Sequence, residues 1–135
     1  LLTSRGLGDV YKRQPMCGDE VKVRIKLVKT KIIDISAVVR GCALCEASAG
    51  LVVELFKNKD VPDERFLYEF LNWLENTEKH FSDHLPNEME IFEPIREIKN
   101  RHKCITMPFE ATCRSIDLKE NQKINQGIQN VSQTK

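Results

Sequence analysis

The stretch Val21-Lys22-Val23-Arg24-Ile25-Lys26-Leu27, followed by Ile32-Ile33-Asp34-Ile35-Ser36-Ala37-Val38-Val39 and then Gly41-Cys42, decides the fold. In the first run Val21, Val23, Ile25 and Leu27 alternate with Lys22, Arg24 and Lys26. Side chains of a strand point to opposite faces in turn, so this is a strand with one buried face. The second run repeats the pattern, with Ile33, Ile35, Ala37 and Val39 facing one way and Asp34, Ser36 and Val38 the other. The short Lys29-Thr30 link predicts an antiparallel hairpin, although it lacks the Asn-Gly or Gly-Gly pair of a favoured tight turn. After Gly41-Cys42 the period changes. Leu44, Ala47, Leu51, Val52, Leu55 and Phe56 fall at helical spacing and predict a helix from Ala43 to Lys57. Gly50 inside it is expected to permit close packing on the sheet, at a cost of about 1 kcal/mol relative to alanine.

Working outward, Pro62 fits the first turn of a second helix, whose apolar stripe is Phe66, Leu67, Phe70, Leu71 and Leu74. Residues 76–88 are polar and read as a loop. Residues 90–99 are expected to be partly helical, with a break near Pro94. A last helix is expected from Pro108 to about Leu118. Residues 119–135 form a polar tail; from Asn121 onward it is rich in Asn, Gln and Lys and has no apolar period, which predicts disorder. Residues 1–14 show neither strand nor helix period. Asp9 to Gln14 also resembles one translated frame of a transposon-end sequencing adapter, so residues 1–14 are expected to be a non-native leader. The folded unit is then 15–118. Its fold class is α+β: a small antiparallel sheet covered by helices on one face, with the site at one end.

Composition narrows the function. A chain of 135 residues that is 41% hydrophobic supports one domain with a modest core. Basic and acidic residues number 21 and 20, for a net charge of +1, which argues against nucleic acid or an anionic membrane as partner. No apolar run reaches the roughly 20 residues of a membrane span. The start lacks the order of a secretory signal, so the five cysteines read as reduced thiols of a cytoplasmic protein.

Three cysteines and one aspartate carry the chemistry. Pro15-Met16-Cys17-Gly18-Asp19 sets a thiolate and a carboxylate two residues apart, and Gly18 lets the backbone turn so that both can reach one spot. The plain alternative is a turn with a buried Cys17 and a solvated Asp19. Cys42 stands where a strand gives way to a helix, and free N–H groups at a helix start favour thiolate over thiol. It could equally be a small buried residue. Cys104 follows Arg101, His102 and Lys103, cations that would raise its thiolate fraction; the alternative is a cysteine in a basic loop. Together Cys17, Asp19, Cys42 and Cys104 would make a three-thiolate, one-carboxylate set that zinc accepts and that could hold an iron–sulfur cluster. A carboxylate in place of a fourth thiolate is harder and less matched to a cluster, which points to a site built to release its cargo.

Two decoys accompany these residues. Cys42-Ala43-Leu44-Cys45 has Cys-x-x-Cys spacing, and His80 and His84 have His-x-x-x-His spacing. The gap from Cys45 to His80 is far longer than the roughly 12 to 15 residues of a zinc finger. Cys45 is at most an accessory thiol near Cys42, His80 and His84 are solvated loop residues, and Cys113 is a packing residue of the last helix.

The motifs Pro15-Met16-Cys17-Gly18-Asp19, Gly41-Cys42 with Ala47-Ser48-Ala49, and Lys103-Cys104 resemble the iron–sulfur cluster assembly scaffold family, comprising IscU, SufU and the N-terminal part of NifU. The resemblance covers about residues 15–118. It implies that Cys17, Asp19, Cys42 and Cys104 surround one metal site holding zinc or iron and, transiently, an iron–sulfur cluster. It implies a cysteine desulfurase as sulfur donor and recipient apoproteins as acceptors of the cluster. The departures choose a subfamily. Where the IscU type has His before the last cysteine, inside a Leu-Pro-Pro-Val-Lys-type segment, this chain has Lys103, with His102 one place back and no Leu-Pro-Pro run. The long segment between Cys42 and Cys104 resembles the SufU type, which is associated with tightly bound zinc. Gln14 stands where the family usually has Asn. The family's N-terminal helix and first strand would lie upstream of Pro15 and are expected to be missing.

The expected function is sulfur acceptance and cluster assembly, as a scaffold rather than an enzyme. Cys42 is the expected sulfur acceptor, Cys104 the alternative, and Asp19 the weak ligand. Two other classes fit the same residues: a zinc-dependent sulfurtransferase relay that never holds a cluster, and a structural zinc-binding interaction module.

Overall fold

A computed structural model of the chain describes residues 10–14 and 19–133, with side chains from 19 to 121. Strands β2 (Asp19–Val28) and β3 (Lys31–Arg40) form the expected antiparallel hairpin. Val21, Val23 and Ile25 are almost fully buried, as their alternation predicts. The hairpin turns on Lys29, whose φ of 57° lies in the left-handed region. A glycine would adopt that geometry at no steric cost, which is why the turn was hard to read from Lys29-Thr30.

The second strand departs from its predicted phase. Lys26 pairs with Asp34 but Leu27 pairs with Ile32, so Ile33 is an extra residue on β3. Such a bulge inverts the alternation on its far side. Ile32 is therefore fully buried, while Ile33, expected to face inward, is only half-buried.

Two further strands flank the hairpin, giving the order β1-β2-β3-β4 among the described residues. Strand β1 (Val10–Gln14) pairs antiparallel with β2, from Val10 opposite Val23 to Gln14 opposite Asp19. It lies where the sequence predicts no regular structure. Strand β4 (Lys59–Asp60) pairs with Lys31 and Ile32.

Helix α1 (Ala43–Phe56) matches its prediction to within a residue. Asn58 just beyond it takes φ 61° and donates its N–H to the Ile32 carbonyl at 2.8 Å, turning the chain back onto the sheet. Helix α2 (Phe66–Glu75) begins four residues after Pro62, so Pro62 lies in the preceding loop rather than in the first turn. The segment Asn87–Glu97 is 3-10 helix and is not broken at Pro94. Three residues per turn align Met89, Phe92 and Ile95 into one inward stripe, a spacing that an α-helix would fan out. A short 3-10 turn, Lys99–Arg101, leads into α3 (His102–Gln133).

Helix α3 is the main correction. It starts six residues before Pro108, places Pro108 in its interior, and continues through residues expected to be disordered. Thr112 Oγ1 donates to the Pro108 carbonyl at 2.7 Å. Phe109 is the hub of the core: its ring centroid lies 5.0 Å from Phe70, 6.0 Å from Phe66, 6.3 Å from Phe56 and 6.5 Å from Phe92. Helices α1 and α3 cover the apolar face of the sheet, and α2 packs against α3. No helix among the described residues is long and apolar enough to cross a membrane.

Candidate metal centre

The end of the sheet where β2 begins and β3 finishes is also where α1 and α3 begin. Asp19 is the first residue of β2, Cys42 caps α1, and Cys104 lies in the first turn of α3. One ligand atom from each of Asp19, Cys42 and Cys104 lies within 4.8 Å of the other two. Three segments remote in sequence thus converge on one spot. Cys17, the fourth residue expected there, lies outside the described residues.

Asp19 is the keystone. It is 1% exposed. Its Oδ1 accepts the Cys42 backbone N–H at 3.0 Å and its Oδ2 accepts the Cys42 thiol at 3.2 Å. The first of these bonds satisfies an N–H at the start of α1, where a negative charge also meets the positive end of the helix. Cys42 makes no side-chain cap of its own, so Asp19 supplies the cap from another strand. Burial pushes the Asp19 carboxyl up. Hydrogen bonds from the thiols of Cys42 and Cys104, the bond from the Cys42 N–H, and the charge of Arg101 outweigh it, and the group sits below its ordinary 3.8. The Asp19 carboxylate is therefore ionised at neutral pH.

Gly41 makes this approach possible. A Cβ on Gly41 would fall 2.6 Å from Asp19 Cγ and closer still to Oδ1. Real carbon atoms do not approach so closely, so the carboxylate occupies the space that a side chain at 41 would need. Gly50 has no comparable role. A Cβ there meets nothing within 4 Å, so the close packing expected of it is absent.

Ser48, the middle residue of Ala47-Ser48-Ala49, joins two elements of the site. It is fully buried and donates Oγ–H to the Ile105 carbonyl at 2.5 Å, fixing α1 to α3 one residue beyond Cys104. The cations before Cys104 are deployed differently from expectation. His102 Nε2 meets the carbonyls of Ile95 (3.1 Å) and Arg96 (2.9 Å) and thus clasps the 3-10 segment. Lys103 Nζ pairs with Glu110 at 3.4 Å, while Arg101 acts on Asp19. Cys104 itself is fully buried. His80 and His84 are exposed. Cys45 is fully buried in the core, outside the ligand group. Cys113 lies in α3 as expected; burial, with Asp117 and Glu110 nearby, pushes its thiol up to about 12, so it stays protonated and is a poor ligand.

The donor set fits a thiophilic metal. Two thiols and an ionised carboxylate within 4.8 Å supply three corners of the tetrahedron that zinc prefers, and thiolates also hold iron–sulfur clusters. Asp19, Cys42 and Cys104 would be the ligands on the described residues.

Comparison with known proteins follows the same line. The chain is 23% identical over 116 residues, 86% of its length and 73% of the relative's, to the iron-sulfur cluster assembly scaffold protein IscU of Streptococcus pyogenes serotype M1. A similar solved structure is a protein assigned as the SUF-system iron-sulfur cluster assembly scaffold, FiSufU, of Fervidobacterium islandicum AW-1. The TM-score is 0.65 at 23% identity, covering 80% of this chain and 79% of that one. The N-terminal part of a NifU-like protein from Brucella abortus aligns with a TM-score of 0.63 at 22% identity, over 84% and 78% of the two chains. These likenesses establish the α+β fold. Residues 1–80 match the model of the NifU-like N terminal domain. The chain belongs to the NifU-like N-terminal domain family, that of the iron–sulfur cluster assembly scaffolds.

Proposed function

We propose that the protein accepts sulfur from a cysteine desulfurase and assembles an iron–sulfur cluster on Cys17, Asp19, Cys42 and Cys104, for transfer to recipient apoproteins. The observation that carries this reading is the convergence of Asp19, Cys42 and Cys104 at one end of the sheet. Cys42 is the acceptor: it is half-buried where Cys104 is fully buried, so a partner's persulfide can reach it. Thiolate exchange moves sulfur only as fast as the attacking thiolate finds an exposed sulfur atom. The same four residues would hold zinc or iron at rest, and a partner's own ligand would free Cys42 to take up sulfur. Asp19 would be the weak ligand, a hard oxygen among soft sulfurs, that eases release of the finished cargo. The relation to the SufU type rests on Lys103 where the IscU type has His, on the absent Leu-Pro-Pro run and on the long segment between Cys42 and Cys104, while His102 one place back binds backbone carbonyls.

Anaerobic incubation with iron, cysteine and a desulfurase tests this directly. The expected result is a coloured cluster, read by visible absorption and passed on to an apo-ferredoxin. A colourless zinc protein that activates the desulfurase would replace the scaffold by a sulfur relay. No effect on the desulfurase at all would leave a structural zinc module. Asp19→Ala is expected to hold its cargo longer and to transfer it more slowly; transfer at the unmodified rate would contradict the role given to Asp19.

A further inference from the structure

Of the Cys-x-x-Cys pair, the reaction above uses Cys42 and leaves Cys45 without a role. Cys42 is the N-cap of α1 and Cys45 is the third residue of the helix. The first turn is closed, with the Glu46 N–H donating to the Cys42 carbonyl at 3.1 Å. Helix rise and radius put the two Cα atoms roughly 5 Å apart, within the span that a disulfide bridges. Cys45 shares its buried face of α1 with Ser48, which bonds the residue after Cys104. Cys45 thus sits one turn from Ser48 toward the site. It is 0% exposed, while Cys42 is half-buried. A thiol so placed is closed to reagents from outside and lies one helical turn from Cys42.

We infer that Cys45 is the resolving thiol that turns sulfur carried on Cys42 into sulfide; this rests on Cys42 being the acceptor. A desulfurase delivers sulfane sulfur, whereas a cluster is built from sulfide, so two electrons must be supplied in between. Cys45 supplies them. Its sulfur attacks Sγ of the Cys42 persulfide, the bond between Sγ and the outer sulfur breaks, and a Cys42–Cys45 disulfide forms. The outer sulfur leaves as hydrosulfide, taking both electrons of the broken bond, and the proton lost by Cys45 goes to it or to water. The cysteine pair is oxidised by two electrons and the transferred sulfur is reduced by two. One turnover needs no other reductant, and an external dithiol of thioredoxin type resets the pair. The intramolecular encounter gives the step the advantage of proximity over attack by a free thiol.

The test uses the metal-free full chain, loaded either by a desulfurase with cysteine or by inorganic polysulfide, then freed of excess reagent. Sulfide release is followed without added reductant. The tryptic peptide 41–57, which holds Cys42 and Cys45 and no other cysteine, is weighed by mass spectrometry. The unmodified chain is expected to release sulfide while this peptide loses two hydrogens. Cys45→Ser and Cys45→Ala are expected to keep one extra sulfur on Cys42 and to release sulfide at least about tenfold more slowly, because the internal thiol is gone. Two variants guard against a folding defect, and circular dichroism checks each. Release at the unmodified rate in a folded variant, or no Cys42–Cys45 disulfide in the unmodified chain, overturns the inference. If polysulfide loads Cys42 and the desulfurase does not, the desulfurase partnership fails while the resolving step stands on the polysulfide arm. If neither loads Cys42, both fail.

Discussion

Asp19 shows how much one side chain can organise. It opens a strand, caps a helix and offers a ligand, and Gly41 leaves the room for it. Gly41→Ala should therefore act on the site rather than on the core. Metal affinity should fall about 10- to 100-fold, as when a metal ligand loses the groups that orient it, and the metal-free protein should lose about 1 kcal/mol with the displaced Asp19 cap. Competition with a chromophoric chelator measures it. Asp19 also gives the metal-free protein a pH signature. Its folded pKa lies below its ordinary 3.8. Its contribution to stability is thus fully present above the unfolded value and is lost as pH falls through the folded one. Asp19→Asn should flatten the fall in urea stability in that acid range; an unchanged pH slope would remove the ionised carboxylate from the account. The motif around Cys17 and Asp19 was legible as chemistry because its residues are adjacent. The contact from Gly41 to Asp19 was not, since it arises only when two strands end together.

At the scale of elements, the hairpin and α1 were readable because each buries one face, and burial writes a period into the sequence. Three features broke that rule. The bulge at Ile33 inserts one residue into a run of apolar side chains, where inward and outward isoleucines look alike. Pro108 predicts a helix start because an interior proline removes an N–H, yet α3 carries it in its interior. Arg96 was missed because buried arginines are rare. It donates from Nε to the Trp73 carbonyl at 2.8 Å and from a terminal nitrogen to the carbonyls of Asn76 and, at 2.8 Å, Lys79, while its guanidinium lies 4.6 Å from the centre of the Trp73 ring. One side chain thus ties the end of α2 and the following loop to the 3-10 segment. Arg96→Ala should cost about 2–4 kcal/mol by urea unfolding, through buried carbonyls left without their donor. Arg96→Lys should not restore it, because an ammonium lacks the planar fork. Gly50→Ala should have the opposite sign, a gain of about 1 kcal/mol, since the added methyl meets no neighbour in an exposed helical turn.

At the scale of the molecule, the architecture gathers four element ends at one end of a sheet and brings Asp19, Cys42 and Cys104 together there. The core behind them, centred on Phe109, holds α1 and α3 in place, so the spacing of Cys42 and Cys104 is set by packing well away from the site. The family was legible from three short motifs in the order Cys17-Gly18-Asp19, Gly41-Cys42 and Lys103-Cys104, although identity to the IscU of Streptococcus pyogenes serotype M1 is 23%. In the proposed centre Cys17 joins Asp19, Cys42 and Cys104. X-ray absorption at the metal edge of the zinc-loaded protein tests it most directly, with Cys17→Ser as the comparison. Three sulfur neighbours at about 2.3 Å and one oxygen are predicted, falling to two sulfurs in the variant. An edge spectrum that Cys17→Ser leaves unchanged would contradict the account.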